Sequence, residues 1–100
     1  MTEQGSSDTE RIHIRVQGHV QGVGFRSFVQ QAGMLFNLTG WVRNIGYDTV
    51  EAVAEGPRIT LEKFSEAVKT GPPAGRVDAS QIEWEPASGE FRDFGVKYDL

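Results

Sequence analysis

The sequence predicts an α+β sandwich in which two helices cover one face of an antiparallel sheet. Extended and helical segments follow one another in the order βαββαβ, and one more short extended segment ends the chain. Each helical segment carries apolar residues along one side only, so each has a single side to bury against the sheet. The order corresponds to two right-handed split βαβ units, which place both helices on the same face.

The first strand and the first helix follow from the spacing of apolar residues. Polar and apolar residues alternate over residues 11–17, which indicates a strand with one buried face and one wetter face. From Phe25 onward the apolar residues recur at helical spacing. Asn37 is expected to end this helix in a left-handed conformation. The predicted buried stripe of the helix consists of Phe25, Phe28, Val29, Ala32, Leu35 and Phe36.

The later part of the chain predicts five further elements. A tight turn at residues 46–48 indicates a β-hairpin. The Gly-Pro-Pro sequence at residues 71–73 ends the second helix, whose charged positions are interpreted as a solvent-facing side. The predicted bounds are 41–45 and 49–55 for the hairpin strands, 58–69 for the helix, and 77–85 and 91–98 for the last two strands.

Length and composition predict one small globular domain. One hundred residues suffice for a single modest core. Residues 1–10 have almost no apolar content and are expected to be a flexible tail before a domain that spans residues 11–100. The sequence has no cysteine, which excludes disulfides, thiolate metal sites and the cysteine pair of a copper chaperone.

Charge and hydropathy limit the partners that the chain can have. The net charge is −4, whereas proteins that bind nucleic acids usually present a basic surface. No apolar run approaches the roughly 18 residues that a membrane helix requires. The N-terminal segment lacks the basic and apolar regions of a signal peptide. We therefore expect a cytoplasmic monomer that binds neither nucleic acid nor a membrane.

A glycine-rich segment between the first strand and the first helix carries the strongest functional signal. Residues 18–26 read G-H-V-Q-G-V-G-F-R. Such a turn lets successive N–H groups converge, and the helix N-terminus adds partial positive charge, so the segment can bind phosphate. Arg26 lies in the first helical turn, where its planar guanidinium could grip the same anion. From these residues alone, a phosphate site and a plain tight turn are equally open.

Two motifs relate this segment to a known family. The sequence V-Q-G-V-G-F-R at residues 20–26, followed by G-W-V-R-N at residues 40–44, resembles the acylphosphatase family. The resemblance extends from about residue 12 to residue 98, nearly the whole chain. It implies the ferredoxin-like form of the predicted sandwich. It also implies a metal-independent hydrolase without a cofactor, which cleaves the carboxyl–phosphate bond of small acyl phosphates.

The resemblance also implies a role for each residue of the site. Asn44 would orient the water that attacks phosphorus, since its carboxamide both donates and accepts hydrogen bonds. The amide of Gln21 is expected to keep the loop in shape. His19 lacks an orienting acid, so its side chain is expected to face solvent instead of acting as a base or a nucleophile. The phosphoryl group, or a phosphate or sulfate anion in its place, would be held by Arg26 and by Gly18, His19, Val20, Gln21, Gly22 and Val23.

Other interpretations have less support from the residues. An RNA-binding module of this fold needs stacking aromatic residues and a basic surface on the exposed face of the sheet, where Glu51 and Glu55 are expected. His13, on the same face, has no partner at the spacing of metal ligands, which favours a solvent-facing histidine. We expect a standalone enzyme and not a part of a larger carbamoyl-handling protein.

Four features beside the motifs lie outside the predicted site or leave a point open. Arg43 is expected on the opposite sheet face from Asn44, and Trp41 is expected to serve packing. The sequence Gly-Tyr-Asp at residues 46–48 replaces the Asp-Gly turn of many family members, which leaves the turn type open. The chain continues beyond Tyr98, which leaves the role of the C-terminal carboxylate open.

Overall fold

A computed structural model describes residues 9–98 of the chain as five strands and two helices. The element order βαββαβ followed by a last strand agrees with the order predicted from the sequence. Residues 1–8, which belong to the predicted tail, and residues 99–100 lie outside the described part. The elements are β1 (Thr9–His19), α1 (Phe25–Leu35), β2 (Thr39–Ile45), β3 (Thr49–Pro57), α2 (Arg58–Thr70), β4 (Arg76–Pro86) and β5 (Phe94–Lys97).

The five strands form one sheet in the order β4-β1-β3-β2-β5. Strand β1 pairs antiparallel with β3 and β4, and β2 pairs antiparallel with β3. The last strand, β5, pairs parallel with β2 at the edge of the sheet. The sheet is therefore mixed, a feature that the sequence did not predict. Both helices pack on the same face of the sheet, and they contact each other there.

The hydrophobic core lies between the helices and this face. Its strand residues are alternate positions, as the period of two predicts. Neither helix in the described part of the chain is long and apolar enough to cross a membrane. The buried core consists of Ile12, Ile14, Val16, Val20, Phe25, Val29, Leu38, Val42, Val50, Ala52, Ala54, Leu61, Phe64, Val68 and Phe94.

The stripe predicted for α1 is correct except at its C-terminal end. Leu35 is 80% exposed, so its assignment to the core was wrong. At about 100° per residue, Leu35 points roughly 120° away from Val29, which lies at the centre of the buried side formed by Phe25, Val29 and Gly33. Gly33 is buried instead, and the Phe94 ring packs on it so closely that a Cβ at this position would come within 2.4 Å of the ring. Asn37 takes the predicted left-handed conformation, with φ 59°.

Strands β1 to β4 extend one or two residues beyond their predicted bounds at one or both ends, and β5 is shorter than predicted. Strand β1 begins at Thr9, so the last two residues assigned to the tail are extended and paired with β3. Strand β5 begins only at Phe94, three residues after the predicted start. The preceding segment is held in a loop because the Glu55 carboxylate accepts hydrogen bonds from the N–H groups of Ser88 and Gly89 at 2.8 and 3.0 Å.

The sheet face opposite the helices carries charged side chains that are more buried than expected. Glu51 and Glu55 were predicted on the wetter face, yet they are only 3% and 4% exposed. Arginine side chains cover both carboxylates: Arg43 Nε binds Glu51 at 2.8 Å, and Arg11 Nε binds Glu55 at 2.8 Å. The long side chains of arginines can thus shield a neighbouring carboxylate from solvent.

Hydrogen bonds keep the Glu55 carboxyl ionised. Burial alone raises the pKa of this group, but the bonds from Ser88, Gly89 and Arg11 outweigh burial and lower the pKa below 4.5. A lowered pKa adds stability that is fully present above the ordinary glutamate pKa and is lost as the pH falls through the folded-state value. The stability from Glu55 should therefore disappear only below about pH 4.5.

Replacing Glu55 with glutamine is expected to lower the free energy of unfolding by about 2 kcal/mol at neutral pH, because the donors around it lose a charged acceptor. Urea unfolding over a range of pH measures this effect. The difference from the unaltered protein should shrink in acid, where Glu55 becomes protonated in both states. Glu62→Gln, at an exposed position of α2, is the matched control. An equal difference at every pH would contradict the charge-based explanation.

Candidate active site

Gly18 shapes the start of the glycine-rich segment. The pairing between β1 and β4 shifts register between Gln17 and Gly18. The φ of Gly18 is 142°, and a Cβ there would come within 2.4 Å of the Arg76 carbonyl oxygen, so only glycine fits. Its N–H donates to the Asp48 carbonyl at 3.0 Å. That N–H already has a backbone partner in the structure, and the binding of an anion by Gly18 stays a prediction.

Residues 20–24 form the loop between β1 and α1, and two of them, Gly22 and Gly24, have a left-handed backbone conformation. Gly22 and Gly24 have φ values of 76° and 79°, and nothing lies within 4 Å of a Cβ built at either position. Glycine is therefore required by backbone conformation and not by lack of space. Gly24 is the N-cap of α1 and provides no side-chain cap, and Phe28 N makes the first helical bond to its carbonyl. The first-turn N–H groups of α1 consequently have no helical acceptor.

Gln21 ties this loop to the β2–β3 hairpin. Its Nε2 donates to the carbonyl oxygen of Thr49 at 3.0 Å and to those of Ile45 and Gly46 at 3.3 Å each. The expectation that the Gln21 amide holds the loop in shape is confirmed by these bonds. They also fix the loop beside the end of β2, where Asn44 lies.

Arg26 and Asn44 line a common cavity of about 270 Å³ at the N-terminus of α1. The Arg26 guanidinium lies over the Tyr98 ring, 4.8 Å from its centroid, and this cation–π contact restricts its position. A second cavity of about 600 Å³ shares Gln21, Arg26, Asn44 and Tyr98 with the first. The smaller cavity is lined by Val20, Gln21, Gly22, Gly24, Phe25, Arg26, Ser27, Gln30, Asn44, Val96 and Tyr98.

The Asn44 carboxamide has a buried acceptor that no other described residue satisfies. Its Oδ1 has no hydrogen-bond partner within residues 9–98. An unpaired buried acceptor costs about 1–3 kcal/mol, so such atoms are rare outside functional sites. Rotation about the last side-chain torsion exchanges Oδ1 with the amide nitrogen. The side chain can thus present either an acceptor or a donor to the cavity.

The structure brings together most of the residues that the sequence assigned to the site, but not all. Three residues do not line the smaller cavity: Gly18, His19 and Val23. His19 is exposed, as its side chain was expected to be. The Val23 side chain instead packs against the hydrophobic core. The residues that do line it are Val20, Gln21, Gly22, Arg26 and Asn44.

Both cavities also have lining residues that were not assigned to the site from the sequence, among them Gln30, Lys97 and Tyr98. Gln30 lies one helical turn after Arg26, so helical spacing could have found it; its Nε2 donates to the Phe94 carbonyl at 3.0 Å and ties α1 to β5. Tyr98 and Lys97 come from the last strand and its end. No local signal could have found them, because β5 reaches the site only by its parallel pairing with β2.

The chemistry of the lining suits an anion. Among the described residues, both cavities are lined by cationic and neutral groups, without a carboxylate or an imidazole. The guanidinium of Arg26, the ammonium of Lys97 and the helix N-terminus all add positive potential. Hard cations prefer carboxylate and carbonyl oxygens, and zinc prefers imidazole or thiolate. The donor set therefore favours a phosphate-sized anion over a metal ion.

Comparison with known proteins decides the family. The family model described as Acylphosphatase matches residues 12–96. This chain belongs to the acylphosphatase family. A curated acylphosphatase of Syntrophotalea carbinolica is 47% identical over 88 residues, which are 88% of this chain and 96% of the relative. The resemblance inferred from the two motifs, and with it the expectation of a hydrolase of this family, is confirmed.

Solved structures of acylphosphatases support the same assignment. The crystal structure of acylphosphatase from Bacillus subtilis aligns with a TM-score of 0.85 at 39% identity, and covers 89% of this chain and 99% of that one. The acylphosphatase from Coxiella burnetii aligns with a TM-score of 0.87 at 35% identity, and covers 96% and 100%. These alignments confirm the predicted ferredoxin-like sandwich.

Proposed function

We propose that this chain hydrolyses acyl phosphates to a carboxylate and inorganic phosphate at the cavity beside Arg26. The observation that carries the proposal is the pairing of two unlike groups in one cavity. Arg26 supplies a fixed positive charge, and Asn44 supplies an unpaired hydrogen-bonding carboxamide. Phosphoryl transfer needs both a charge clamp and a positioned nucleophile, and needs little covalent chemistry from the protein.

The phosphoryl group would be held by the helix N-terminus and by the Arg26 guanidinium. The first-turn N–H groups of α1 and those of residues 20–24 supply donors that are fixed before the substrate arrives. The planar guanidinium binds two phosphoryl oxygens at once. Its stack on Tyr98 and the bonds of Gln21 to the hairpin support this pre-organisation. Donors that are fixed in place stabilise the charge of the transition state without reorganisation.

Asn44 would hold the attacking water opposite the leaving carboxylate. The water oxygen forms the new bond to phosphorus while the bond from phosphorus to the acyl oxygen breaks, and the acyl oxygen leaves as a carboxylate. The proton of the water passes to a phosphoryl oxygen of the substrate. A carboxylate is a stable leaving group, so the protein needs neither a general acid nor a strong base. This agrees with a cavity that has neither among the described residues.

Hydrolysis of benzoyl phosphate with and without a chelator tests the proposal. We expect steady hydrolysis at the same rate in both conditions, competitive inhibition by inorganic phosphate, and no cleavage of p-nitrophenyl phosphate, whose phenolate is a poorer leaving group. Failure to hydrolyse benzoyl phosphate would contradict the proposed reaction. Loss of activity on chelation would contradict the metal-independent mechanism.

A further inference from the structure

Three acidic side chains surround His13 on the open face of the sheet. His13 on β1 lies directly opposite Glu83 on β4, and Glu85 follows on the same face. The sequence analysis expected a solvent-facing histidine because no partner lies near it along the chain. The pairing of β1 with β4 supplies the partners from about 70 residues away.

The three side chains offer ligand atoms at distances close to those of a metal site. His13 Nδ1 lies 3.8 Å from Glu83 Oε1 and 3.9 Å from Glu85 Oε2. All three ligand atoms lie within 4.8 Å of one another. In a tetrahedral zinc site with bonds of about 2.1 Å, neighbouring ligand atoms are roughly 3.4 Å apart. Small side-chain rotations of Glu83 and Glu85, both of which reach the surface, would close the difference.

A buried carboxylate orients the His13 ring. Glu51, which is ionised and paired with Arg15 and Arg43, contacts Nε2 of His13 from the other side. An ionised carboxylate can only accept, so Nε2 carries a proton, and in the neutral ring the lone pair then lies on Nδ1, which faces Glu83 and Glu85. Histidines that bind metals are held in this way, with the second ring nitrogen donating to a carboxylate.

The charges around Glu83 favour a cation at this place. Within residues 9–98, Glu83 has no arginine or lysine partner, and the group that faces its carboxylate is the His13 ring. Glu85 uses its other oxygen, Oε1, to face Arg11 Nη1 at 3.8 Å, and Oε2 stays directed at His13. Two carboxylates therefore converge on Nδ1 of one imidazole ring. Imidazole with carboxylate suits zinc, whereas calcium and magnesium prefer oxygen ligands alone.

We propose that His13, Glu83 and Glu85 form a zinc-binding site that joins strand β1 to the edge strand β4. This site lies on the sheet face opposite the helices, whereas Arg26 and Asn44 lie on the helix side. A zinc ion here would stabilise β4, which is exposed along most of its length, without taking part in hydrolysis. Binding should be saturable, with one ion per chain.

Calorimetric titration of the chelator-treated protein with zinc chloride tests the site. We expect one zinc ion per chain, and affinities at least about tenfold weaker in Glu83→Gln and in Glu85→Gln. At a hundredfold excess over Kd, zinc should raise the Tm by on the order of 10 °C. Nitrogen NMR of the two histidines should show a shift at Nδ1 of His13, with His19 as the internal reference.

Controls separate this site from unspecific binding and from the reaction. Glu66→Gln removes an exposed carboxylate on α2 and should leave the zinc affinity unchanged. Benzoyl phosphate hydrolysis should be unaffected by zinc and by Glu83→Gln. The proposal would be overturned by absence of saturable binding, by equal affinity in Glu83→Gln, or by zinc shifts at His19 in place of His13. It would also be overturned if nitrogen NMR shows that both ring nitrogens of His13 stay protonated when zinc is added.

Discussion

Replacing Arg26 with alanine is expected to lower kcat/KM for benzoyl phosphate by about 10³-fold, which corresponds to about 4 kcal/mol of transition-state stabilisation. Within residues 9–98, Arg26 is the one arginine that lines both cavities. Its guanidinium is held in position by stacking on the Tyr98 ring. In the proposed mechanism this guanidinium binds the phosphoryl oxygens in the ground state and binds them more strongly in the transition state. Inhibition by inorganic phosphate should therefore disappear along with turnover.

Two further variants identify the cause of the Arg26 effect. Arg26→Lys keeps the charge but loses the planar fork and the stacking on Tyr98, so we expect activity between those of the alanine variant and the unaltered protein. Arg58→Ala is the matched control: Arg58 lies at the start of α2, where it pairs with Glu10, and its loss should leave hydrolysis unchanged. Activity of Arg26→Ala within threefold of normal would contradict the role of the guanidinium.

The fold could be predicted because its elements carry strong local patterns. Alternation over β1 and the apolar stripes of α1 and α2 depend on neighbours two to four residues away, and those patterns gave the correct order of elements. The errors occur where distant contacts decide. Strand β5 starts at Phe94 because Glu55, nearly forty residues earlier, holds the preceding loop. Its parallel pairing with β2 has no signature in the sequence.

The candidate site could be predicted in part for the same reason. Gln21, Arg26 and Asn44 lie in short motifs, and these three do line the cavity. Gly18 was assigned a role in binding because glycine in a loop indicates backbone freedom. The structure shows a different need at this position, close contact with the Arg76 carbonyl and a bond to Asp48. A sequence shows that glycine is present, but not which constraint requires it.

The open face of the sheet was the least predictable part. Glu51 and Glu55 occupy the strand positions that the alternation assigns to the wetter face. Their burial results from arginines on neighbouring strands, which fold over them. Alternation predicts the face of a side chain, whereas exposure also depends on which side chains cross from the next strand. His13 was interpreted as isolated for the same reason.

Replacing Asn44 with alanine is expected to lower kcat by about 10²–10³-fold while KM and the inhibition constant of phosphate change little. The reason is that Asn44 would hold the water and not the phosphoryl group, so only the transition state loses an interaction. Steady-state kinetics with benzoyl phosphate separate the two parameters. Gln31→Ala, which removes an exposed carboxamide from α1, is the matched control and should leave both unchanged.

The stability of the Asn44 variant provides an independent test of the same role. Oδ1 is buried without a partner among the described residues, and removing an unsatisfied acceptor relieves a cost of about 1–3 kcal/mol. The alanine variant should therefore unfold at an equal or higher urea concentration than the unaltered protein, although it is nearly inactive. A residue that serves packing would behave in the opposite way, with lower stability and retained turnover. Normal turnover in Asn44→Ala would show that another group orients the water.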